Sequence, residues 1–480
     1  MPKDYLGKRG YCVYKHNHSE EQLSNFREKL TVKPFSSYNN NTVAFPVYSE
    51  SPNKLYLPRY WGLKNIPSNP LDFKISSPLN ISINFSKSLK EKQKPIVEAF
   101  INSLNNNYGG GIISIPCGYG KTVLALYIAA QLKVKTLVVV HKEFLLNQWK
   151  ERIEEFIPDA NIGRIQSTKI NVKNKDIVLG MLQSISMIDY DENIFSDFGL
   201  VIYDECHHLG AEVFSQALLK TPCKYTLGLS ATPKRSDGLS KVFEWFLGRI
   251  VYLIKKRDDN NVNVKLIDYY DNDNKYSKEI MTFTKKPNFA SMINNICAFK
   301  PRLDLLINQI YLCLDEGRKV LVLSDRREHL KSIKNILDTN EKYSSGYYLG
   351  GMKQSELEQT EVKDTILGTF AMASEGFDCR EPLDTIILAS PKSNIEQAVG
   401  RILRQEEKDR VRIPLVIDII DCFSIFKKQG EKRVKFYKKN NYNIDLYNFD
   451  NENGSCNKVF NYYVNKQKKS CDLNFLPDED

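Results

Sequence analysis

Two groups of residues in this sequence have the types and spacing to handle phosphate. The first is Pro116-Cys117-Gly118-Tyr119-Gly120-Lys121-Thr122, set between the apolar runs GIISI and TVLALYIAAQL. An apolar strand, a glycine-bearing turn, Lys-Thr and a helix together make the context of a phosphate cradle. Gly118 and Gly120 let backbone N–H groups approach phosphate oxygens, Lys121 brings charge to the β- and γ-phosphates, and Thr122 offers a hydroxyl to Mg2+. The pattern GxxxxGKS/T is incomplete, because Ile115 stands where its leading glycine belongs. The plain alternative is a glycine-rich strand-to-helix turn with a chance Lys-Thr. The second group closes another apolar run, Leu200-Val201-Ile202-Tyr203-Asp204-Glu205-Cys206-His207. A carboxylate at the C-terminal end of a neighbouring parallel strand is where a nucleotide's metal ion would sit. Asp204 would hold Mg2+, Glu205 would polarise the attacking water, and His207 would hydrogen-bond to a later element. Alone, these residues could equally be a solvent-facing strand end with His207 and His208 on the surface. Beside the phosphate loop, the acidic-box reading is the better one.

Definite elements must position these groups. LKEKQKPIVEAFINSL reads as an amphipathic helix with Ile96, Val97, Phe100, Ile101 and Leu104 on one face. Short apolar strands then alternate with helical segments: GIISIP, the helix from Lys121, TLVVVH, FLLNQWKERIEEF, DIVLGM and GLVIYDE. Such alternation predicts β-α units and a parallel sheet covered on both faces. A second series runs KVLVLSD, REHLKSIKNIL, YYLGG, DTILGTF, DTIILAS and RIPLVIDIID. The expected fold class is therefore α/β, with two tandem parallel-sheet domains over residues 81–255 and 301–455. Residues 256–300, rich in Asn, Asp and Lys, read as a linker with one exposed strand, VNVKLIDYY. Residues 1–80, with a possible strand pair around TVAFPVYSE and KLYLPRYWG, read as a small accessory module, and 456–480 as a polar tail.

Composition bounds the partners. The 480 residues are 42% hydrophobic and 26% charged, ordinary globular values that exclude wholesale disorder. The longest nearly apolar run, Val123 to Leu132, is half of the roughly 20 residues a membrane span needs, so no transmembrane helix is expected. The first residues show no apolar signal region, and the 10 cysteines form no CxxC pair, so an intracellular, reducing setting is expected. A net charge of +10 permits a polyanionic partner without requiring one. The basic stretch KKQGEKRVKFYKK, residues 427 to 439, is either a solvated helix face or a phosphate-contacting one.

The order of these motifs over residues 89–410 resembles superfamily 2 helicases and translocases of the DExH type, whose two sheets are RecA-like. By that resemblance Gln93 reads the adenine of ATP, and Ser230-Ala231-Thr232 couples hydrolysis to nucleic-acid movement. Thr369, before Glu375-Gly376-Phe377-Asp378, matches the family's T…EGxD motif. Gln397, Gly400, Arg401 and Arg404 match QxxGRxxR. Thr369 is implied as a nucleic-acid contact, and Gly376 and Asp378 as ATP contacts. Arginines from a second domain can stabilise γ-phosphate charge in the transition state, with Arg404 as the finger and Arg401 beside it. Within the superfamily, PCGYGKT, SATPKRSDG and QAVGRILRQ look most like the branch of the TFIIH helicase. LYLPRYWG and the length look closest to the transcript-release helicases of poxviruses and other large DNA viruses.

The resemblance implies ATP and Mg2+ as cofactors and nucleic acid as track, DNA before RNA. It also implies RNA polymerase or transcription factors as partners, no membrane, and a cytoplasmic virus factory or virion as location. Two alternatives stay open: an RNA helicase of the same chemistry, and a polymerase-docked ATPase switch that unwinds nothing. A fused nuclease is disfavoured, since no PD…ExK-like cluster stands out before residue 80 or after 430. Trp149 and Phe144 read as core residues of their helix, and His141 and His329 receive no role.

Overall fold

The computed structural model describes residues 3–462 except 8, 36–41, 67–71, 76, 107, 108, 117, 208–211, 222, 232–236, 255–260, 376–378, 380, 406, 451 and 452. The chain divides into two units, residues 1–255 and 256–480. Among the described residues no helix is long and apolar enough to cross a membrane, and the described cysteines are free thiols.

The first unit is built on an eight-stranded sheet. From one edge its order is Lys169–Asn171, Ile162–Gln166, Ile177–Met181, Thr136–Val140, Leu200–Tyr203, Tyr225–Ser230, Gly110–Ser114 and Ile250–Leu253. Every pair is parallel except the first. Successive side chains of a strand point to opposite faces, and the apolar runs divide accordingly. Ile112, Leu137, Val139 and Val201 join one buried cluster, while Ile113, Val138, Val140 and Ile202 join another on the opposite face. The helices Lys94–Asn106, Lys121–Leu132 and Glu143–Phe156 fall where the sequence predicts them.

One expectation about neighbours changes. The acidic-box strand Leu200–Tyr203 does not adjoin the phosphate-loop strand Gly110–Ser114. Tyr225–Ser230 lies between them, paired in parallel to both. A crossover can return anywhere along a sheet face, so chain order does not dictate sheet order. This strand is buried on both faces, which suits the interior.

Residues 1–80 are not a free arm. A five-stranded sheet, in the order Ser49–Glu50, Lys54–Leu57, Gly10–Tyr14, Tyr5–Gly7 and Asp72–Lys74, packs with the helices Glu20–Lys29 and Arg59–Asn65. Its Tyr11, Val13, Leu23 and Trp61 share one apolar cluster with Ile112 and Val201 of the large sheet. Arg59, 8% exposed, donates from Nη1 to the carbonyls of Cys223 (3.0 Å) and Lys224 (3.2 Å).

The second unit also has an eight-stranded sheet, ordered Ser345–Tyr348, Thr365–Gly368, Val320–Leu323, Thr385–Leu388, Leu415–Asp421, Asn263–Tyr269, Asn443–Asp450 and Ser455–Tyr462. All pairs but the last are parallel. The reading of 256–300 as a linker with an exposed strand is corrected here. Asn263–Tyr269 is an interior strand with a parallel partner on each side, and Val264, Leu266, Ile267 and Tyr269 are buried. The helix Phe289–Ala298 buries Met292, Ile293, Ile296 and Cys297. The expected polar tail likewise begins as strand Ser455–Tyr462, and residues 463–480 lie outside the described residues.

The basic stretch is part of helix Ser424–Lys439. Lys427, Lys428, Lys432, Lys435 and Lys439 are exposed, while Phe426, Gly430, Arg433 and Tyr437 are buried. Gly430 permits the close approach to the sheet, because a Cβ there would stand 2.6 Å from Ile420 Cγ2. Arg433 Nε donates to both carboxylate oxygens of Asp418, at 3.1 and 2.9 Å.

Candidate functional site

Parallel strands bring their C-terminal ends to one edge of a sheet, and in the first unit three adjacent ends carry the predicted chemistry. Ser114 and Ser230 are register partners, and Ile115 N donates to Ser230 O at 3.0 Å. The fully buried Ile115 therefore continues the sheet at the position where a leading glycine was expected. Gly118 (φ 84°) and Gly120 (φ 82°) take left-handed conformations that favour glycine. Gly120 is further constrained, because a Cβ there would meet Gln93 Nε2 at 2.6 Å. Gln93 is 4% exposed; its Nε2 donates to Tyr119 O (2.9 Å), and its Oε1 accepts from Lys90 N (3.0 Å). The glutamine thus holds the loop from behind. Pro116 and Thr122 are half-buried beside it, and Cys117 lies outside the described residues.

Lys121 opens the helix Lys121–Leu132 and donates from Nζ to Glu205 Oε1 at 2.7 Å. This contact joins the phosphate loop to the acidic box across the intervening strand. Glu205 has φ 47°, a left-handed conformation that costs a side-chain-bearing residue roughly 1–2 kcal/mol. The kink turns its carboxylate toward Lys121, and Glu205 Oε2 stands 3.4 Å from His207 Nδ1. His207 Nδ1 also lies 3.1 Å from Ser230 Oγ, bridging the acidic box to the end of the middle strand. Ser230 is fully buried and Ala231 half-buried, whereas Thr232 and His208 lie outside the described residues.

Asp204 Oδ1 accepts from Glu205 N (3.0 Å), and its Oδ2 accepts from Trp149 Nε1 (2.9 Å). Burial, and then the neighbouring Glu205, push the Asp204 carboxyl above its usual range, against the opposing pull of Lys121 and the Trp149 bond. Trp149 is a site residue that the sequence reading missed. It is the core residue expected, 1% exposed, but its N–H fixes one oxygen of the predicted metal-binding carboxylate. A buried indole N–H needs an acceptor, and that was the available signal. His141, at the end of strand Thr136–Val140, also senses the acidic pair. Burial and Lys142 lower its pKa, while Asp204 and Glu205 raise it.

The donor set fits a nucleoside triphosphate and its divalent cation. Lys121 supplies charge, and Thr122 and Asp204 supply oxygens. No group of three or more His, Cys, Asp or Glu able to hold a metal ion occurs among the described residues. A magnesium ion here would share its coordination with phosphate oxygens, as this cation commonly does.

In the second unit Thr369 follows strand Thr365–Gly368, and its Oγ1 accepts from Met372 N at 3.3 Å, capping the short helix Phe370–Glu375. Gln397 sits half-buried on Glu396–Val399, ahead of the 3-10 turn Gly400–Leu403. Arg401 Nε donates to Ala373 O at 2.5 Å, tying the arginine motif to the helix after Thr369. Arg401 and Arg404 line a cavity of about 180 Å3 with Cys379, Glu381, Leu383 and Gln405. Gly376 and Asp378 lie outside the described residues.

Residues 86–235 match the family model described as type III restriction enzyme, res subunit. A putative ATP-dependent RNA helicase of Acanthamoeba polyphaga mimivirus is 36% identical over 459 residues, 93% of this chain and 87% of that protein. A putative helicase of Invertebrate iridescent virus 6 is 26% identical, covering 77% of this chain and 86% of its own. A probable helicase of Escherichia phage T5 is 28% identical, covering 78% and 81%. The crystal structure of T4 UvsW aligns with 90% of this chain and 96% of its own, at 19% identity and a TM-score of 0.34. On its identity and coverage with the mimivirus protein, and on its motifs, the chain belongs to the superfamily 2 helicases of large DNA viruses.

Proposed function

We propose that this protein is an ATP-driven motor that moves along or unwinds nucleic acid, DNA in the first place, and serves viral transcription at elongation or transcript release. The observation that carries the ATPase part is the convergence of Lys121, Asp204, Glu205, His207 and Ser230 at three adjacent strand ends. Bound ATP would supply the phosphoanhydride to be cleaved, and a magnesium ion would neutralise part of its phosphate charge. Lys121 exchanges Glu205 for the phosphates and so frees that carboxylate to orient water and accept its proton. Asp204 and Thr122 would hold the metal ion, and Gln93 braces the loop through Tyr119 O. His207 carries any movement of Glu205 to Ser230, and through it to the residues that follow the middle strand. Arg401 and Arg404 are assigned to transition-state charge by the QxxGRxxR motif. RNA polymerase or transcription factors are the proposed partners.

An RNA track is the second reading, favoured by the mimivirus relative, which is called a putative ATP-dependent RNA helicase. Steady-state ATP hydrolysis with no nucleic acid, single-stranded DNA, duplex DNA or single-stranded RNA decides between them. Stimulation by DNA, abolished in Lys121→Ala, is expected. Stimulation by RNA alone would move the proposal to the second reading. Hydrolysis indifferent to every nucleic acid would sink the motor and leave a partner-operated switch.

A further inference from the structure

The interior strand Asn263–Tyr269 delivers the chain to the C-terminal edge of the second sheet, and helix Phe289–Ala298 takes it back into the core. Between them the chain folds into a tight hairpin, with Met281 and Pro287 as antiparallel bridge partners. Asn288 N donates to Ile280 O (2.6 Å), Thr282 N to Lys286 O (2.7 Å) and Lys285 N to Thr282 O (2.9 Å). Thr282 Oγ1 adds contacts to Lys286 O (3.0 Å), Lys286 N (3.3 Å) and Thr284 Oγ1 (2.9 Å). Lys285 takes the left-handed φ of 56° that closes the turn.

At the tip of this hydrogen-bonded turn Phe283 is fully exposed, at 109%, with Met281 at 52%. A phenyl ring held out in water forgoes the gain that burial would bring. Lys285 and Lys286 follow it in the same turn, and the acids of residues 271–286, Asp271, Asp273 and Glu279, all precede Ile280; Glu279 accepts from Ser424 Oγ at 2.5 Å.

The base of the hairpin is bolted to the sheet edge. Tyr276 OH donates to Asp421 Oδ1 (2.8 Å), and the Phe289 ring packs on Phe426 with centroids 5.6 Å apart. Arg326, just past strand Val320–Leu323, donates from Nε to Asn294 Oδ1 at 2.5 Å. Thr369, expected to contact nucleic acid, leaves the same edge of the same sheet, because strands Thr365–Gly368 and Val320–Leu323 are parallel.

We propose that Phe283 stacks on a base of a single nucleic-acid strand while Lys285 and Lys286 contact the flanking phosphates. The inference rests on the motor reading above. Every base has a face that an aromatic ring can cover, so the contact is indifferent to sequence and suits a motor that must pass all sequences. An apolar protein partner would also cover the ring, but Lys285 and Lys286 in the same turn, with no acid between Ile280 and Pro287, favour a polyanion.

The test uses the full chain and fluorescence anisotropy of labelled single-stranded DNA and RNA, with melting temperature checked for every variant. Phe283→Ala should weaken binding on the order of 5- to 100-fold. Phe283→Trp should bind close to wild type, and its emission should be quenched by oligonucleotide beyond any change in wild type. Lys285→Ala with Lys286→Ala should flatten the dependence of log Kd on log salt by about one phosphate contact or more. Wild-type binding with undiminished binding by Phe283→Ala and no quenching in Phe283→Trp would overturn the inference, leave the motor reading intact and point to a protein partner. A wild-type chain that neither binds nucleic acid nor responds to it in ATP hydrolysis would overturn the motor reading, and this inference with it.

Discussion

The acidic box depends on two unusual residue states. Glu205 holds a left-handed backbone that aims its carboxylate at Lys121, and Asp204 is buried with one oxygen held by an indole. Strain and burial of this kind survive only where surrounding packing enforces them. Trp149 provides that enforcement for Asp204, since its ring is buried in the core and its N–H donates to Asp204 Oδ2. Phenylalanine would fill most of the same space while deleting the donor. A hydrogen bond to a charged group is worth roughly 1.5–3 kcal/mol. Trp149→Phe should therefore lower kcat for ATP hydrolysis by about one to two orders of magnitude, with the KM for the nucleic acid unchanged. Trp149 acts here as a positioning residue. A folded Trp149→Phe protein with wild-type kcat would show that the bond serves packing alone.

At the scale of elements, strands were legible wherever apolar residues run unbroken, and amphipathic helices wherever they repeat at period 3.6. The runs TLVVV and VLVL became interior strands, and REHLKSIKNIL became the helix Arg327–Leu337. The chemistry of Lys121, Asp204 and Glu205 was legible because Lys121 opens a helix after a glycine turn and the two acids directly follow an apolar strand. The strand Asn263–Tyr269 was legible as a strand but not as an interior one, because Asp268 and Lys265 interrupt its apolar pattern and Asn-rich sequence surrounds it. Nor could spacing show that Tyr225–Ser230 would separate the two phosphate-handling strands, since sheet order is set by crossovers. Asp268 has a measurable consequence. Burial, then repulsion from Asp418, push its carboxyl up from 3.8 to about 6, against the bond from Cys422 and the charge of Lys427. A carboxyl whose pKa is higher folded than unfolded is no burden below pH 3.8; the penalty grows between there and about 6, and is complete above it. A difference of that size is worth about 3 kcal/mol. Asp268→Asn should therefore raise the melting temperature of the second unit by about 5–10 °C at neutral pH, with the gain shrinking as pH falls toward 4. A gain that does not vary with pH would mean that the charge is not its source.

At the scale of the molecule, each unit owns a sheet and apolar clusters on both of its faces, and among the described residues none of the four clusters includes residues from both units. A unit with its own core unfolds as its own cooperative body, so calorimetry should resolve two transitions. Asp268→Asn labels one of them, because it should move only the second unit's peak. A non-hydrolysable ATP analogue with magnesium, at about a hundred times its Kd, should then stabilise the unit that holds Lys121 by about 2.7 kcal/mol, shifting the unlabelled peak by roughly 5–10 °C. The motif assignment of Arg401 and Arg404 adds a sharper expectation. If they engage the same nucleotide, the second unit's peak should rise too, and Arg404→Ala should remove that second rise while sparing the first. A shift confined to the first peak in the wild type would remove the arginines from nucleotide binding and restrict any role they have to the transition state. A shift in the second peak alone would place the nucleotide away from Lys121 and undo the site as built here.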